Sequence, residues 1–329
     1  MSEPLIKVVN IRKWFPMRRG LSDILSRRTL VYLKAVDGIS FDVKAGEIFC
    51  LAGESGCGKT TTGRLSIRLE EPDSGKILFE GRDVTTVQGV ELKEFRRKAQ
   101  IIFQDPYESL NPLMRIIDIV AEPLAIHGNL NGKEEKVEMV IKALEEVALT
   151  PPENFLNRYP HELSGGQRQR VAIARAIILR PNFIVADEPV SMLDMSIRAS
   201  ILKLLLDIRE KHRVAYLFIT HDLALAKHIS DRIAVMYLGK IVEIGGSQQV
   251  IDSPAHPYTK ALITAIPTPD PRVKIGEIPI IGEVASPINP PSGCRFHPRC
   301  PYVMDVCRSE EPPSVEVEKE HFAACHLLR

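Results

Sequence analysis

The run Gly53-Glu54-Ser55-Gly56-Cys57-Gly58-Lys59-Thr60, followed by Thr61, fits the pattern Gly-x-x-x-x-Gly-Lys-Thr without a gap. Ahead of it, Glu47-Ile48-Phe49-Cys50-Leu51-Ala52 reads as a buried strand; behind it, Lys59 to Leu69 reads as a helix. Strand, glycine loop and helix in that order bind phosphate for a physical reason. Glycines let backbone N–H groups turn inward around phosphate oxygens, and the positive end of the helix adds to that cradle. Lys59 supplies a point charge for the β and γ phosphates, and the Thr60 hydroxyl is a hard oxygen ligand for Mg²⁺. The feature commits the chain to an α/β fold.

A chain of 329 residues suggests one large domain with an appendage, or two domains. With 44% hydrophobic and 26% charged residues it has the balance of a soluble globular protein. The net charge of +1 gives no field that argues for nucleic acid as a partner. Basic pairs at Arg18-Arg19 and Arg27-Arg28 read as solvated surface. No secretion signal follows Met1, and no apolar run reaches the roughly 18 residues of a membrane-spanning helix.

Ile39-Ser40-Phe41-Asp42-Val43 alternates like a half-buried strand. Between Leu113 and Leu179 the pattern turns helical: Val137, Val140, Ile141, Leu144, Val147 and Ala148 recur at three-and-four spacing. Phe183 to Ala186 is a continuous apolar strand, as in a parallel sheet covered on both faces. Ile197, Ile201, Leu204, Leu205 and Ile208 mark a further helix, and Val214 to Thr220 a further strand. After Ile266 prolines crowd the chain (Pro267, Pro269, Pro271, Pro279, Pro287, Pro290, Pro291), and regular structure gives way to an extended connector.

Asp187-Glu188 ends the apolar strand at Phe183, where an open α/β sheet presents ligand-binding groups. Asp187 suits Mg²⁺, and Glu188 suits a general base on the attacking water. Upstream, Leu163-Ser164-Gly165-Gly166-Gln167 runs into the helical Arg168-Gln169-Arg170-Val171-Ala172-Ile173-Ala174-Arg175-Ala176. Ser164 is placed to cap that helix, and the glycines expose backbone donors.

With both motifs present, the chain resembles the ATP-binding subunits of ABC transporters. The resemblance implies a P-loop ATPase with a RecA-like core, an antiparallel β subdomain and a helical subdomain near residues 106–180, within an ATPase domain spanning 1–266. It implies that Ser164, Gly165, Gly166 and Gln167 face ATP held by a second ATPase subunit, identical or homologous. It assigns Gln104 to Mg²⁺ and the attacking water, His221 to the γ phosphate, and Asp194 to the loop crossing between subunits; Met192 stands where the family usually has Ala. For adenine it implies an aromatic platform, Phe15 or its neighbour Trp14. The stretch Asp105 to Pro112 resembles the surface that receives a permease.

Cys294, Cys300, Cys307 and Cys325 have 5, 6 and 17 residues between them, a poor zinc spacing. Cys50 reads as a core residue. The runs His256-Pro257-Tyr258-Thr259-Lys260-Ala261-Leu262 and Gly293-Cys294-Arg295-Phe296-His297-Pro298-Arg299-Cys300 resemble the oligopeptide and dipeptide importer branch, whose C-terminal extension corresponds here to 267–329. In some members of that branch the cysteines hold a [4Fe-4S] cluster; zinc and free thiols are the alternatives. The resemblance implies ATP-driven import at the cytoplasmic face of the membrane, by a peripheral subunit working with two permeases and an external solute-binding protein. Oligosaccharides and metal–ligand complexes are alternative solutes. A soluble ABC ATPase of DNA repair or translation would carry a coiled-coil or zinc insertion or a second cassette, and a regulatory nucleotide binder would lack Glu188 or His221.

Overall fold

The computed structural model describes residues 3–17, 31–128, 132–266, 280–282 and 285–328. The basic pairs at 18–19 and 27–28 and the proline run 267–279 lie outside these residues. The principal elements in chain order are β1 (Ile6–Pro16), β2 (Tyr32–Val43), β3 (Ile48–Ala52), α1 (Lys59–Ser66), β4 (Ser74–Phe79), β5 (Arg82–Asp83), α2 (Gly89–Lys98) and β6 (Ala99–Ile102). There follow α3 (Pro106–Ser109), α4 (Ile116–His127), α5 (Lys133–Glu146), α6 (Gly165–Ile177), β7 (Phe183–Asp187), α7 (Met195–His212), β8 (Ala215–Thr220) and α8 (Leu223–Ile229). The chain ends through β9 (Arg232–Tyr237), β10 (Lys240–Gly246), α9 (Ser247–Asp252), α10 (Pro257–Thr264), β11 (Ser314–Glu318) and β12 (His321–Ala324). Two compact units emerge, one holding residues 86–218 with short N-terminal pieces, the other residues 6–42, 48–85 and 219–329.

In the first unit β6 and β7 pair in parallel, with Ala99 opposite Phe183 and Ile102 opposite Ala186. Every residue of β7 is buried, so its apolar run has no polar face to show. Ile116, Ile119, Val120 and Leu124 form the buried stripe of α4, and Val140, Ala143 and Leu144 that of α5. Full burial of such side chains stabilises by about 1.5–3 kcal/mol each. The helix expected to include Ala148 stops at Glu146: Ala148 is exposed and has φ +55°, a left-handed exit that breaks the α ladder.

The second unit contains the antiparallel set β2-β1-β4-β5, with Ile6 opposite Phe79 and Val8 opposite Ile77. It also contains the run β11-β12-β10-β9-β3. There β3 and β9 pair in parallel, Phe49 against Arg232 and Ala52 against Val235. β9 and β10 are joined through Leu238 (φ +42°) and Gly239 (φ +78°), the twist a tight hairpin requires. The hairpin of β11 and β12 then docks on β10, Glu243 facing Ala323, so the cysteine-bearing tail continues the sheet of this unit. α1 ends three residues before the expected Leu69, because Arg68 turns left-handed (φ +59°) and its Nε donates to the Val84 carbonyl at 3.1 Å.

Candidate active site

The phosphate loop lies in the second unit, between β3 and α1. Two glycines are obligatory there. A Cβ on Gly53 would stand 2.2 Å from the Met236 carbonyl oxygen, and one on Gly58 would stand 2.1 Å from that of Ala35. Lys59 is buried, and its Nζ donates to the carbonyls of Gly53 at 2.8 Å and Glu54 at 2.9 Å. The β9–β10 turn braces the loop from below: Gly239 N–H donates to the Cys57 carbonyl at 2.8 Å. Burial pushes the Cys57 thiol up, with Lys59 opposing, so it is a poor nucleophile.

His221 follows β8 on a pinned turn. Thr220 Oγ1 accepts the Asp222 N–H, and Asp222 Oδ1 caps α8 by accepting the Leu225 N–H, each at 3.0 Å. On β1, Trp14 is engaged on two sides. Its Nε1 donates to Asp37 at 3.1 Å, and Lys34 Nζ stands 4.4 Å from its ring centroid. Phe15 is half-buried with Lys13 Nζ 5.4 Å from its ring.

The first unit holds the other half of the expected set. Gln104 and Glu188, 84 positions apart, meet: Gln104 Nε2 donates to Glu188 Oε2 at 3.2 Å. Asp187 is the buried last residue of β7, and Glu188 turns off the strand with φ +44°. Strained backbone at a carboxylate of this kind persists only where its surroundings enforce it. Here the Ser191 N–H and hydroxyl donate to the Glu188 carbonyl at 3.2 and 3.0 Å. Arg198 holds the same loop by donating to the carbonyls of Leu193 at 2.7 Å and Ser191 at 3.1 Å, which sets exposed Asp194 at the start of α7.

Ser164 caps α6 as expected. Its Oγ accepts the Gln167 N–H at 3.3 Å, and the Gln167 side chain accepts the Ser164 N–H at 3.0 Å. A Cβ on Gly166 would come within 2.8 Å of Ile197 Cγ2, so the second glycine lets α6 pack closely on α7. The Arg168 guanidinium lies 3.8 Å from the Tyr107 ring centroid, and Arg175 donates to the Ser109 carbonyl at 2.6 Å. α6 is thereby tied to α3, inside the expected permease-facing stretch.

Several residues beside the phosphate loop carry no local signature. Arg299 forms a two-pronged pair with the Glu54 carboxylate at 2.7 and 3.1 Å, and Glu54 N–H donates to the Tyr258 hydroxyl at 3.0 Å. Arg295 pairs with Asp37 and donates to the Leu238 carbonyl. Burial alone would raise the Asp37 carboxyl; Arg295 and Lys240 outweigh it and hold it below the usual carboxylate range. Glu243 is fully buried, accepting the backbone N–H groups of Ala255 at 2.7 Å and His256 at 2.9 Å and meeting His321 Nε2 at 2.8 Å. Tyr258 and Arg299 sit inside the two runs that mark the importer branch, and that was the available signal.

None of the six cysteines is in a disulfide. Burial raises Cys294 to about 11, and the nearby Cys307, Cys325 and Cys300 add to the rise. Burial also raises Cys300 and Cys325. Among the described residues no three Cys, His, Asp or Glu side chains stand close enough together to hold a metal ion.

A probable peptide ABC transporter ATP-binding protein of Sinorhizobium fredii is 46% identical over 99% of this chain and 91% of its own length. The chain belongs to the ATP-binding subunits of ABC transporters. Residues 36–191 match the ABC transporter family, and residues 242–307 match the C-terminal region of oligopeptide/dipeptide transporters. The oligopeptide transport ATP-binding protein AppF of Bacillus subtilis is 46% identical over 99% of this chain and 98% of its own. A putative peptide import ATP-binding protein of Brucella ovis is 50% identical over 93% and 96%. Among solved structures, the dimeric ATP-binding cassette MJ0796 bound to ADP and Pi superposes with a TM-score of 0.62 at 28% identity, over 74% of this chain and 98% of that one. The ABC ATPase has the P-loop fold, and among its described residues no helix is long and apolar enough to cross a membrane.

Proposed function

We propose that this chain hydrolyses ATP to drive import of peptides, as the nucleotide-binding subunit of an oligopeptide/dipeptide-type transporter. The observation that carries the chemistry is the Gln104–Glu188 contact of 3.2 Å on a left-handed backbone. In this reading Glu188 takes the proton of the water that attacks the γ phosphorus, and Gln104 orients the carboxylate by donating to Oε2. The γ P–O bond breaks and ADP leaves. Backbone N–H groups within residues 53–61, other than that of Glu54, hold the phosphates, Lys59 adds its charge at their β–γ end, and His221 donates to the γ phosphate. Phe15 carries the adenine, because Trp14 is already held by Asp37 and Lys34. Thr60, Asp187 and Gln104 would hold Mg²⁺, which would supply charge neutralisation for the phosphates.

Ser164, Gly165, Gln167 and Asp194 are exposed or partly exposed at helix starts, with Gly166 buried among them, which suits residues that meet ATP on a second ATPase subunit. The Tyr107–Arg168 stack supports α3 as the place where a permease pushes on α6. A pair of permeases and an external binding protein complete the assembly, with this subunit peripheral on the cytoplasmic side. Residues 1–266 form the ATPase, its helical part near 106–180, and 267–329 the extension. The branch resemblance alone supports a [4Fe-4S] cluster on Cys294, Cys300, Cys307 and Cys325: thiolates are soft donors for iron, while burial favours the neutral thiol at three of the four and no three donor side chains among the described residues stand close enough to hold a metal. Names of relatives supply the solute class.

Glu188→Gln tests the catalytic assignment. Reconstituted with permeases and partner ATPase, the variant should bind ATP and lose about 100- to 10,000-fold in phosphate release. Turnover near that of the wild type sinks the general-base role.

A further inference from the structure

Glu54 is an odd residue to place in a loop that receives a polyanion. Its carboxylate cancels the charge of Lys59 within residues 53–61, where no other ionised side chain stands. The structure answers this from the far end of the chain. Arg299, with a side chain only 7% exposed, clamps the Glu54 carboxylate with two N–H groups at 2.7 and 3.1 Å. The Glu54 backbone N–H is taken by the Tyr258 hydroxyl. Burial, then the nearby Glu54 carboxylate, raises that hydroxyl well above its ordinary value, so it stays protonated.

Neither partner is free to drift. Phe296 is fully buried, with its ring centroid 5.3 Å from Tyr237, 5.4 Å from Tyr258 and 5.7 Å from His256. Three residues later the short helical turn His297–Arg299 delivers the guanidinium, which also lies 5.8 Å from the Tyr237 ring. His256 Nδ1 accepts the Tyr258 N–H at 3.0 Å, and Glu243 holds the His256 backbone. Both anchors grow from the packed wall of the second unit.

We infer that Arg299 and Tyr258 are positioning residues of the phosphate loop, and that through Arg299 the C-terminal extension sets the affinity for nucleotide. Arg299 removes the repulsion between Glu54 and the phosphates, and Tyr258 fixes the loop's outer limb. The inference rests on the ATPase reading above. It differs from a mere tail anchor in its consequence: folded protein lacking the clamp should bind nucleotide weakly.

The test titrates purified full-length chain with MgADP, which occupies the same loop and is not turned over. Arg299→Ala should weaken binding by about tenfold, equivalent to about 1.4 kcal/mol. Arg299→Lys should stay within about threefold of wild type, since a cation still faces the carboxylate. The double variant Glu54→Gln with Arg299→Gln should recover to within about threefold, because no charge is left to neutralise. In the assembled transporter, Arg299→Ala should raise KM for ATP and leave kcat at saturation nearly unchanged. Wild-type affinity in Arg299→Ala, or a double variant as weak as the single, overturns the inference. Should Arg299→Ala fail to fold, Tyr258→Phe decides: about threefold weaker binding supports the inference and unchanged binding overturns it. A wild-type chain that does not bind MgADP at all refutes the ATPase reading instead.

Discussion

Replacing Phe296 by alanine removes the largest side chain that the cysteine tail contributes to the core of the second unit. The ring is 1% exposed and sits among Tyr237, Tyr258 and His256 at centroid distances of 5.3, 5.4 and 5.7 Å. Truncating a buried Phe costs about 3–5 kcal/mol, from lost transfer energy and the cavity left behind. The edge-on contact with Tyr237, its planes at 90°, lies in the geometry where aromatic pairs contribute a further fraction of that. For a chain of this size each kcal/mol moves the melting temperature by about 2–4 °C, so Phe296→Ala should lower it by roughly 6–20 °C. Phe296→Leu, which keeps most of the volume, should lose less than half as much. Differential scanning calorimetry of the full chain reads both. A fall of under about 2 °C for Phe296→Ala would mean that the tail does not pack on this wall, and the reasoning fails with it.

Two further outcomes are expected. Burial depresses His256 from 6.5 to about 3, so the folded protein leaves it neutral while the unfolded chain protonates it; stability is therefore lost as pH falls from about 6.5 toward 3. The loss between pH 7 and 5.5 should be about 1 kcal/mol from this residue, and His256→Asn, which keeps an acceptor for the Tyr258 N–H, should flatten denaturation midpoints over that window; an unchanged slope rejects the assignment. Protein purified without oxygen should be brown and carry about four irons per chain, with Cys300→Ser reducing both; colourless, iron-free protein under those conditions contradicts the cluster.

Elements that bury themselves on every side were readable along the chain. β3, β7 and β8 are buried at every residue, and such runs leave no ambiguity about which face turns inward. The phosphate loop was readable because Gly53 and Gly58 answer to backbone atoms of Met236 and Ala35, a demand only glycine satisfies. What stayed hidden depends on partners far along the chain. Glu54 and Arg299 are 245 positions apart, and nothing local announces their pairing. Glu243 stands beside Ile241, Val242 and Ile244 with no local sign of its role, yet it has no exposed surface, because two backbone N–H groups and His321 converge on it. Helix ends went astray for a related reason: at Arg68 and Ala148 apolar periodicity continues while the backbone has already turned left-handed.

The hairpin laid on β10 has a consequence for shortened forms of the chain. With β12 in place, β10 has a neighbour on both sides, and the outermost strand is β11, whose Glu316 and Glu318 point acid side chains at solvent. That rim discourages a stray strand from adding itself. Cutting the chain before Ser314 strips the rim away and bares a row of unpaired amides beside Ile244, so such a truncation should self-associate into aggregates whatever becomes of its catalysis.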